Sequence, residues 1–357
     1  MGLAQLSNTL FTLAIVAYSL VLIALGAEYA FGRRGLVART ARRPERERVL
    51  VGAGGGAVAD SAGEDAGSVA APPTEGSERP GSGGALDGPG GEPPAEGLAA
   101  VADRCGRLGV VLTVIGALLQ AASVSIRGAA VDRLPWGNMY EFTSLATLVA
   151  VVAFLVVLVK QPRLRHLGVF VMLPVIVLMF LAGTVLYAKA EALVPALHSY
   201  WLAIHVSAAA VGTGIFLVSS VATGLYLVRL HADRTAAAGA AGGHLANVGS
   251  RLPAASALDR MAYRTAAFGF PIYTFGIICG AIWAEAAWGK YWSWDPKETW
   301  ALVTWVVYAA YLHARATAGW KGRGAAWINL VGFGTLAFNF FVVNIVISGL
   351  HSYAGLN

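Results

Sequence analysis

The sequence predicts an all-α protein, a polytopic bundle of about eight transmembrane helices. Of its 357 residues, 57% are hydrophobic and only 13% are charged, and the mean hydropathy is +0.62. The apolar residues also form long blocks instead of short alternating stretches. Soluble proteins are about 45–50% apolar and about 25% charged, so composition and patterning together exclude an ordinary soluble globular domain.

Eight apolar blocks are long enough to cross a membrane, since a bilayer core about 30 Å thick requires about 20 helical residues. The predicted spans are residues 8–31, 107–127, 140–159, 167–188, 201–229, 265–285, 297–316 and 325–348. The first block lies far from any small-residue cleavage site and precedes five arginines between residues 33 and 43. A stop-transfer cluster of this kind predicts a retained span and not a signal peptide.

The chain divides into three predicted parts: an N-terminal span over residues 1–31, a cytoplasmic linker over 32–104, and a seven-span domain over 105–357. Residues 51–100 contain 14 Gly and 6 Pro, and no aromatic residue occurs between 32 and 135. A segment of this composition cannot bury enough apolar surface to offset its conformational entropy. The linker is therefore predicted to be a disordered spacer.

Alternate loops differ strongly in positive charge. One set of loops contains 21 of the 26 lysines and arginines, and the opposite set contains 5. Because cytoplasmic loops have the excess, both termini and the loop at residues 283–300 are predicted to face outward. The concentration of lysine and arginine in cytoplasmic loops then accounts for the formal charge of +6. We therefore expect no nucleic-acid partner.

Tryptophan is concentrated in one external loop. Six of the ten tryptophans lie within residues 283–305, including the compact run WGKYWSWDPKETW at 288–300. An interfacial aromatic belt is the alternative explanation, but a belt does not require so compact a run. With Lys290 and Lys297 nearby, a platform of indole rings suits a flat apolar ligand with anionic edges, such as a porphyrin with its propionates.

The same loop contains a signal for the start of a helix. Asp295 as N-cap, Pro296 at the first helical position and Glu298 two residues later form a predicted capping box. A helix is therefore predicted to begin at about Pro296, with the positive end of its dipole at the outer surface.

Two histidines are predicted at the depth of this loop. His205 lies about one turn inside the outer end of the fifth span, and His351 follows the eighth span at its outer end. Two neutral imidazoles can ligate one haem iron from opposite sides, although each alone is equally well explained as a hydrogen-bonded interfacial histidine. His198, seven residues before His205 and close to the same helical face, is the substitute candidate. The histidines expected to be solvated are His166, His231 and His244.

His313 is predicted at a different depth. It lies 17 residues beyond Pro296, about 26 Å along the seventh span, and so toward the cytoplasmic side. Ionisable residues within the membrane are uncommon and usually functional, yet no other intramembrane histidine of the chain is expected at that depth. A second haem at His313 would need a ligand from another polypeptide or a five-coordinate iron. The alternative is a histidine bonded to a backbone carbonyl or reaching the inner interface.

The motif WGNMYE at residues 136–141 precedes the third span on the outer side. Its Asn and Glu are equally consistent with a helix cap and with a contribution to the site. No P-loop, nucleophile elbow, zinc motif or dinucleotide-binding pattern occurs in a suitable context.

These motifs resemble those of the CcsA/ResC family of cytochrome c biogenesis proteins, the haem-handling component of system II, whose actinobacterial members are often labelled CcsB. The resemblance covers residues 105–357. It rests on WGKYWSWDPKETW, on PALHSYWLAIHVS at 195–207, on YLHAR at 311–315 and on SGLHSYAG at 348–355. PWGNMYEF is similar to the family's NLYES-type motif. The system I proteins CcmC and CcmF also contain WGxxWxWD, but their continuation differs from PKETW, which favours system II.

The resemblance implies roles for particular residues. His205 and His351 correspond to the two outer haem ligands and His313 to the transmembrane ligand, whose counterpart a ResB-type membrane subunit would supply. Haem b is the implied substrate. The residues of the tryptophan-rich signature implied to bind it are Trp288, Trp292, Trp294, Asp295 and Trp300.

The implied reaction is attachment of haem to an apocytochrome c CxxCH segment through thioethers, on the extracytoplasmic face of the bacterial cell membrane. Thioredoxin-like proteins that reduce the thiols are further implied partners. The chain would be a subunit of a holocytochrome c synthase in which catalysis rests on positioning. Haem is expected to enter near His313 and to move within the bundle to the outer pair.

Two other functions are compatible with the sequence. A dihaem electron carrier of the cytochrome b kind requires histidine pairs at two depths within one chain, whereas only the outer pair is present internally. A non-haem membrane scaffold with an aromatic belt requires no histidine pair. Visible spectra of the chain with and without its partner distinguish these functions from haem attachment.

Overall fold

The computed structural model describes residues 2–32, 94–191, 197, 199–240, 242–317, 320 and 322–351. Within these residues there are nine α-helices and no strand, which confirms the predicted all-α fold class. The helices are α1 (Leu3–Phe31), α2 (Pro94–Ala130), α3 (Met139–Lys160), α4 (Gly168–Thr184), α5 (Tyr200–Ala237), α6 (His244–Arg251), α7 (Ala255–Trp288), α8 (Pro296–Thr317) and α9 (Arg323–Ile345). A 3-10 helix, Pro162–Leu167, precedes α4.

Seven helices are long and apolar enough to cross a membrane: α1, α2, α3, α4 with its 3-10 helix, α5, α7 and α9. The chain is therefore a multi-pass membrane protein. The other predicted span, α8, has 22 residues but is less apolar, because aromatic, histidine and charged residues replace aliphatic ones. It still runs antiparallel to both neighbours along its length. Lys297 binds Asn344 of α9 at one end, and Arg315 binds Asp259 of α7 at the other.

The second span begins earlier than predicted. α2 starts at Pro94, so residues 94–104 are helical and do not belong to a disordered linker. This stretch is rich in alanine and other good helix formers. Its Asp103 is bound by Arg165 of the 3-10 helix and by Arg107 one turn away. The rest of the predicted linker, residues 33–93, lies outside the described residues.

The N-terminal helix α1 packs closely against α2. A Cβ at Gly116 of α2 would lie 2.5 Å from the Tyr18 ring of α1, so glycine permits this approach. The Tyr18 hydroxyl donates to Gln120 Oε1 at 2.7 Å, and Gln120 Nε2 donates to Thr147 Oγ1 of α3 at 2.9 Å. Helix α1 is thus integrated with the bundle through a buried polar network.

One histidine expected to be solvated is buried. His166 stacks on Tyr29 of α1 with ring centroids 6.5 Å apart, because the 3-10 helix packs against α1. His231 and His244 are exposed, as predicted.

The N-terminal ends of α3, α5 and α8 meet the C-terminal ends of α7 and α9 at one end of the bundle. Helix α5 packs along α7, and α8 packs along α9. Residues that are distant in sequence therefore surround one cavity. We refer to this end as the outer end, following its predicted orientation.

Candidate functional site

A cavity opens at the outer end among α3, α5, α7, α8 and α9. It comprises about 1050 Å³ of empty space, including its open mouth, and its wall is mostly apolar. The side chains with amide, imidazole or ammonium groups in the wall are Asn138, His205, Lys297, Asn339, Asn344 and His351. An apolar pocket with a few convergent polar groups is typical of a small-molecule site.

His205 lies in the second turn of α5 and faces the C-terminal part of α7. Its Nδ1 donates to the Gly276 carbonyl oxygen at 2.7 Å, since a carbonyl can only accept. The ring stacks on Trp283, with centroids 6.1 Å apart and planes at 13°. Gly280 makes room for it, because a Cβ there would lie 2.6 Å from the imidazole. The neutral ring therefore has its lone pair on Nε2, a nitrogen suited to a metal.

His351 follows α9 and reaches the same indole. Its ring centroid lies 5.7 Å from that of Trp283 and 5.0 Å from that of Trp288, both edge-on. Its Nδ1 lies 2.8 Å from Asp295 Oδ2. A carboxylate at Nδ1 fixes the tautomer and the orientation of the ring, as around metal-bound histidines. The two predicted outer ligands thus share one aromatic neighbour and one cavity wall.

Asp295 joins the start of α8 to the segment after α9. Its Oδ2 accepts from the Lys297 backbone amide at 3.2 Å, and its Oδ1 accepts from the Leu350 amide at 2.6 Å. Burial alone would raise the pKa of Asp295, but the hydrogen bonds from His351 and from these two amides together lower it. The ionised carboxylate is therefore the favoured form, and it fixes the position of His351.

The predicted capping box at the start of α8 is confirmed. Glu298 Oε2 accepts from the backbone amides of Asp295 at 3.2 Å and Ser293 at 2.8 Å, and α8 begins at Pro296. The sequence predicts the cap but not the second role of Asp295 as the partner of His351. A contact between residues so far apart in the chain has no local signal.

Three tryptophans lie beside the two histidines. Trp283 is buried and contacts both imidazoles, and Trp288 packs edge-on against Trp283 with centroids 4.8 Å apart. Trp292 lines a smaller adjoining cavity together with both histidines. Trp283 is absent from the predicted binding residues because it precedes the compact run, although its indole makes the most direct contacts.

Two tryptophans of the predicted signature lie away from this cavity. Trp294 is 69% exposed and adopts a φ of 58°, in the left-handed region. Trp300 packs against Phe338 of α9 with ring centroids 4.1 Å apart. Trp300 therefore stabilises the contact between α8 and α9, and the indoles beside the histidines come from α7 and the following loop.

Comparison of the sequence with known proteins assigns the chain to a family. The sequence profile of a family described as cytochrome C assembly protein matches residues 136–351, which include all the described residues that line the cavity. A cytochrome c biogenesis protein CcsA of Gloeobacter violaceus is 33% identical over 301 residues, which cover 70% of this chain and 87% of that protein. The chain belongs to the CcsA family of cytochrome c assembly proteins.

Two further CcsA relatives, from Guillardia theta and Synechococcus elongatus, are each 44% identical to the chain. Their matches of 184 and 199 residues cover 47% and 46% of this chain. The chain spans only 59% and 61% of the length of these two relatives. Both relatives are named as cytochrome c biogenesis proteins.

The third predicted ligand of this CcsA-family chain, His313, lies at the opposite end of α8 from the cavity. Its side chain is exposed, and its ring makes no hydrogen bond within the part of the chain that the structure describes. Its neighbour Arg315 pairs with Asp259 of α7 at 2.7 Å. His313 therefore points out of the bundle, toward lipid or another polypeptide. His198 lies outside the described residues.

The motif at residues 136–141 has a capping role and a place in the cavity wall. Asn138 Oδ1 accepts from the Glu141 backbone amide at 2.9 Å, which caps α3, and residues 136–139 line the cavity. Glu141 is buried and accepts from Arg127 and Arg133, each at 2.9 Å. These arginines were not predicted, because they precede α3 and no local pattern connects them to Glu141.

Proposed function

We propose that the chain holds haem b, as a substrate in transit, at the outer end of the bundle and presents it for attachment to apocytochrome c. The observation that supports this proposal is the pairing of His205 and His351. Both line one cavity, both contact Trp283, and each has Nδ1 engaged by a hydrogen-bonding partner. Nε2 is then the nitrogen that each ring would present to iron, and two such nitrogens can ligate haem iron from opposite faces.

The rest of the cavity wall suits a porphyrin. Trp283 and Trp288 offer flat apolar surfaces, on which a macrocycle can pack face-on or edge-on. The apolar side chains of α5 and α9 in the wall exclude water from the ring. An apolar, partly shielded site with two imidazole ligands also tunes the iron potential, so that the iron can be held reduced.

Attachment joins each vinyl group of haem to one thiol of a CxxCH segment. The S–H adds across the vinyl double bond, so that an S–C bond forms and the hydrogen ends on the terminal carbon, with no net oxidant or reductant. The chain contributes position. The two histidines fix the iron, the indoles fix the plane, and Asp295 keeps His351 in place until the apocytochrome histidine takes over the iron.

A separate role in haem binding is proposed for the inner end of α8. The exposed His313 ligates a second haem position that is completed by a ResB-type subunit, and haem enters the bundle there. The outer cavity opens on the extracytoplasmic face of the bacterial cell membrane, where thioredoxin-like proteins keep the apocytochrome thiols reduced. The chain is then one subunit of a haem lyase complex. The exposure of His313 and the unequal distribution of positive charge between the loops support this arrangement.

Visible spectra of the chain, purified alone and with its ResB-type partner, test the proposal. We expect a low-spin Soret band that His205→Ala or His351→Ala removes and that added imidazole partly restores. His231→Ala, at an exposed position of α5, is the matched control and should leave the spectrum unchanged.

Each contrary result has a distinct meaning. Absence of a Soret band in both preparations would exclude haem binding. Unchanged haem content in both histidine variants would refute the ligand assignment. Two stable haems in the isolated chain that resist transfer would favour a dihaem electron carrier.

A further inference from the structure

The described wall of the outer cavity contains a single amino group and no guanidinium group. Lys297 is the only lysine or arginine among the described residues that line it. It is the second residue of α8, and its backbone amide is held by Asp295 at 3.2 Å. Asn339 of α9 donates to its backbone carbonyl at 3.2 Å. The first turn of α8 is thus fixed against α9, with the Lys297 side chain in the same wall as both imidazoles.

The Lys297 ammonium has a neutral partner. Its Nζ donates to Asn344 Oδ1 at 2.6 Å. Asn344 Nδ2 donates in turn to the Phe340 carbonyl oxygen at 2.6 Å, so that the amide oxygen faces the lysine. Among the described residues no carboxylate lies within 4.0 Å of Nζ. The Asp295 carboxylate acts on Lys297 only from a longer distance. A cation withdrawn from bulk water without a counter-charge in contact is costly, and an anionic group on a ligand would offset that cost.

Three other basic residues near the outer end lie outside the cavity wall, and two of them are paired with a carboxylate. Lys290 is exposed in the loop after α7 and does not line the cavity. Arg127 and Arg133 are paired with the buried Glu141. From the sequence, Lys290 and Lys297 are equivalent candidates to bind an anionic group beside the tryptophan-rich loop. In the structure, Lys297 lines the cavity and Lys290 does not.

We infer that Lys297 binds a carboxylate substituent of the ligand, namely a propionate of the haem held between His205 and His351. The inference rests on the proposed function and adds a ligand specificity to it. The imidazoles recognise the iron, which all haem derivatives share. Lys297 recognises the anionic edge, which only porphyrins with free carboxylates possess. Asn344 positions the ammonium for this contact.

The test compares two ligands that share iron and vinyl groups but differ in charge: haem and haem dimethyl ester. The purified full chain is titrated with each, and the Soret band gives the dissociation constants. We expect the unaltered chain to bind haem at least about 10-fold more tightly than the ester, the effect of one charge-assisted hydrogen bond. Lys297→Met should lose this preference and keep the low-spin spectrum. Lys297→Arg should retain the preference, and the control Lys290→Met should bind both ligands like the unaltered chain.

The outcomes separate this inference from the proposed function. Equal affinity of the unaltered chain for haem and ester, with a low-spin spectrum for both, would refute the role of Lys297 and leave the histidine pair standing. A full preference for haem in Lys297→Met would refute it equally. Failure of the unaltered chain to bind either porphyrin would overturn the proposed function itself. Since the two-ligand comparison uses the unaltered chain, it does not depend on whether a variant folds.

Discussion

The two ends of α8 differ in how much of a site the chain itself supplies. At the outer end, the cavity has two histidines, a carboxylate that orients one of them and an enclosing aromatic wall, all from this chain. At the inner end, His313 is exposed on the helix surface, and the neighbouring Arg315 already pairs with Asp259. An enclosed site can hold a ligand alone, whereas an exposed histidine needs a second polypeptide to complete its coordination.

Substitution of the histidines should separate the two ends and give the largest effect. In the purified complex with a ResB-type subunit, with haem added after purification so that the outer site does not depend on entry at His313, we expect His351→Ala to lack the outer haem and His313→Ala to lack only the inner one. Haem content measured by pyridine haemochrome, together with the spectrum of each variant, checks this. Loss of both haems in either variant would show that the two ends are not independent sites.

Removal of the Asp295 carboxylate should weaken the outer site without abolishing it. Asp295→Ala leaves His351 without the group that orients it, and loss of such a partner typically lowers metal affinity by about 10- to 100-fold. Haem titration of the isolated chain measures the effect. Asp259→Ala, which removes a paired carboxylate at the inner end, is the control and should leave the outer affinity unchanged. An equal loss in both variants would indicate general destabilisation.

A methyl group at Gly280 should have a smaller effect on the same site. The added Cβ would lie 2.6 Å from the His205 ring, so the ring must move from its contact with Trp283, and we expect about a 10-fold or smaller loss of haem affinity. Gly224→Ala in α5 is the matched control, because nothing lies within 4 Å of a Cβ there. Equal affinity in Gly280→Ala would show that the position of His205 is not tightly specified.

The smallest expected effect is on stability in acid. Folding lowers the pKa of Asp295, so its ionised form stabilises the fold above the usual aspartate pKa of about 4, and this contribution disappears as pH falls through the lowered value. The thermal midpoint of ligand-free Asp295→Asn in detergent should lie a few degrees below that of the unaltered chain from about pH 7 to pH 5. This difference should shrink below about pH 4. A difference that grows on acidification would contradict the assigned direction of the pKa shift.

Features set by local sequence could be predicted well. Each apolar block corresponds to a helix, and seven of these helices are long and apolar enough to cross a membrane. The residues Asp295, Pro296 and Glu298 predict the start of α8, because capping depends on neighbouring residues. The predicted linker over residues 32–104 is wrong for its last part, because α2 begins at Pro94. The high glycine and proline content averaged over residues 51–100 outweighs the helix-forming residues that follow Pro94.

Features set by tertiary contact could not be predicted. Nothing in the sequence pairs Asp295 with His351 or Arg127 with Glu141, because such contacts depend on how helices pack. The outward orientation of the His313 side chain could not be predicted either. Helix α8 has apolar and aromatic residues on all sides, so its periodicity does not show which face is exposed.

The most direct test of the outer site is low-temperature electron paramagnetic resonance of oxidised haem bound to the full chain with His313→Ala, so that only the outer site is available. We predict a low-spin ferric signal typical of two imidazole ligands, which disappears when His205→Ala or His351→Ala is added. A high-spin signal, or a low-spin signal that survives both additional substitutions, would contradict it.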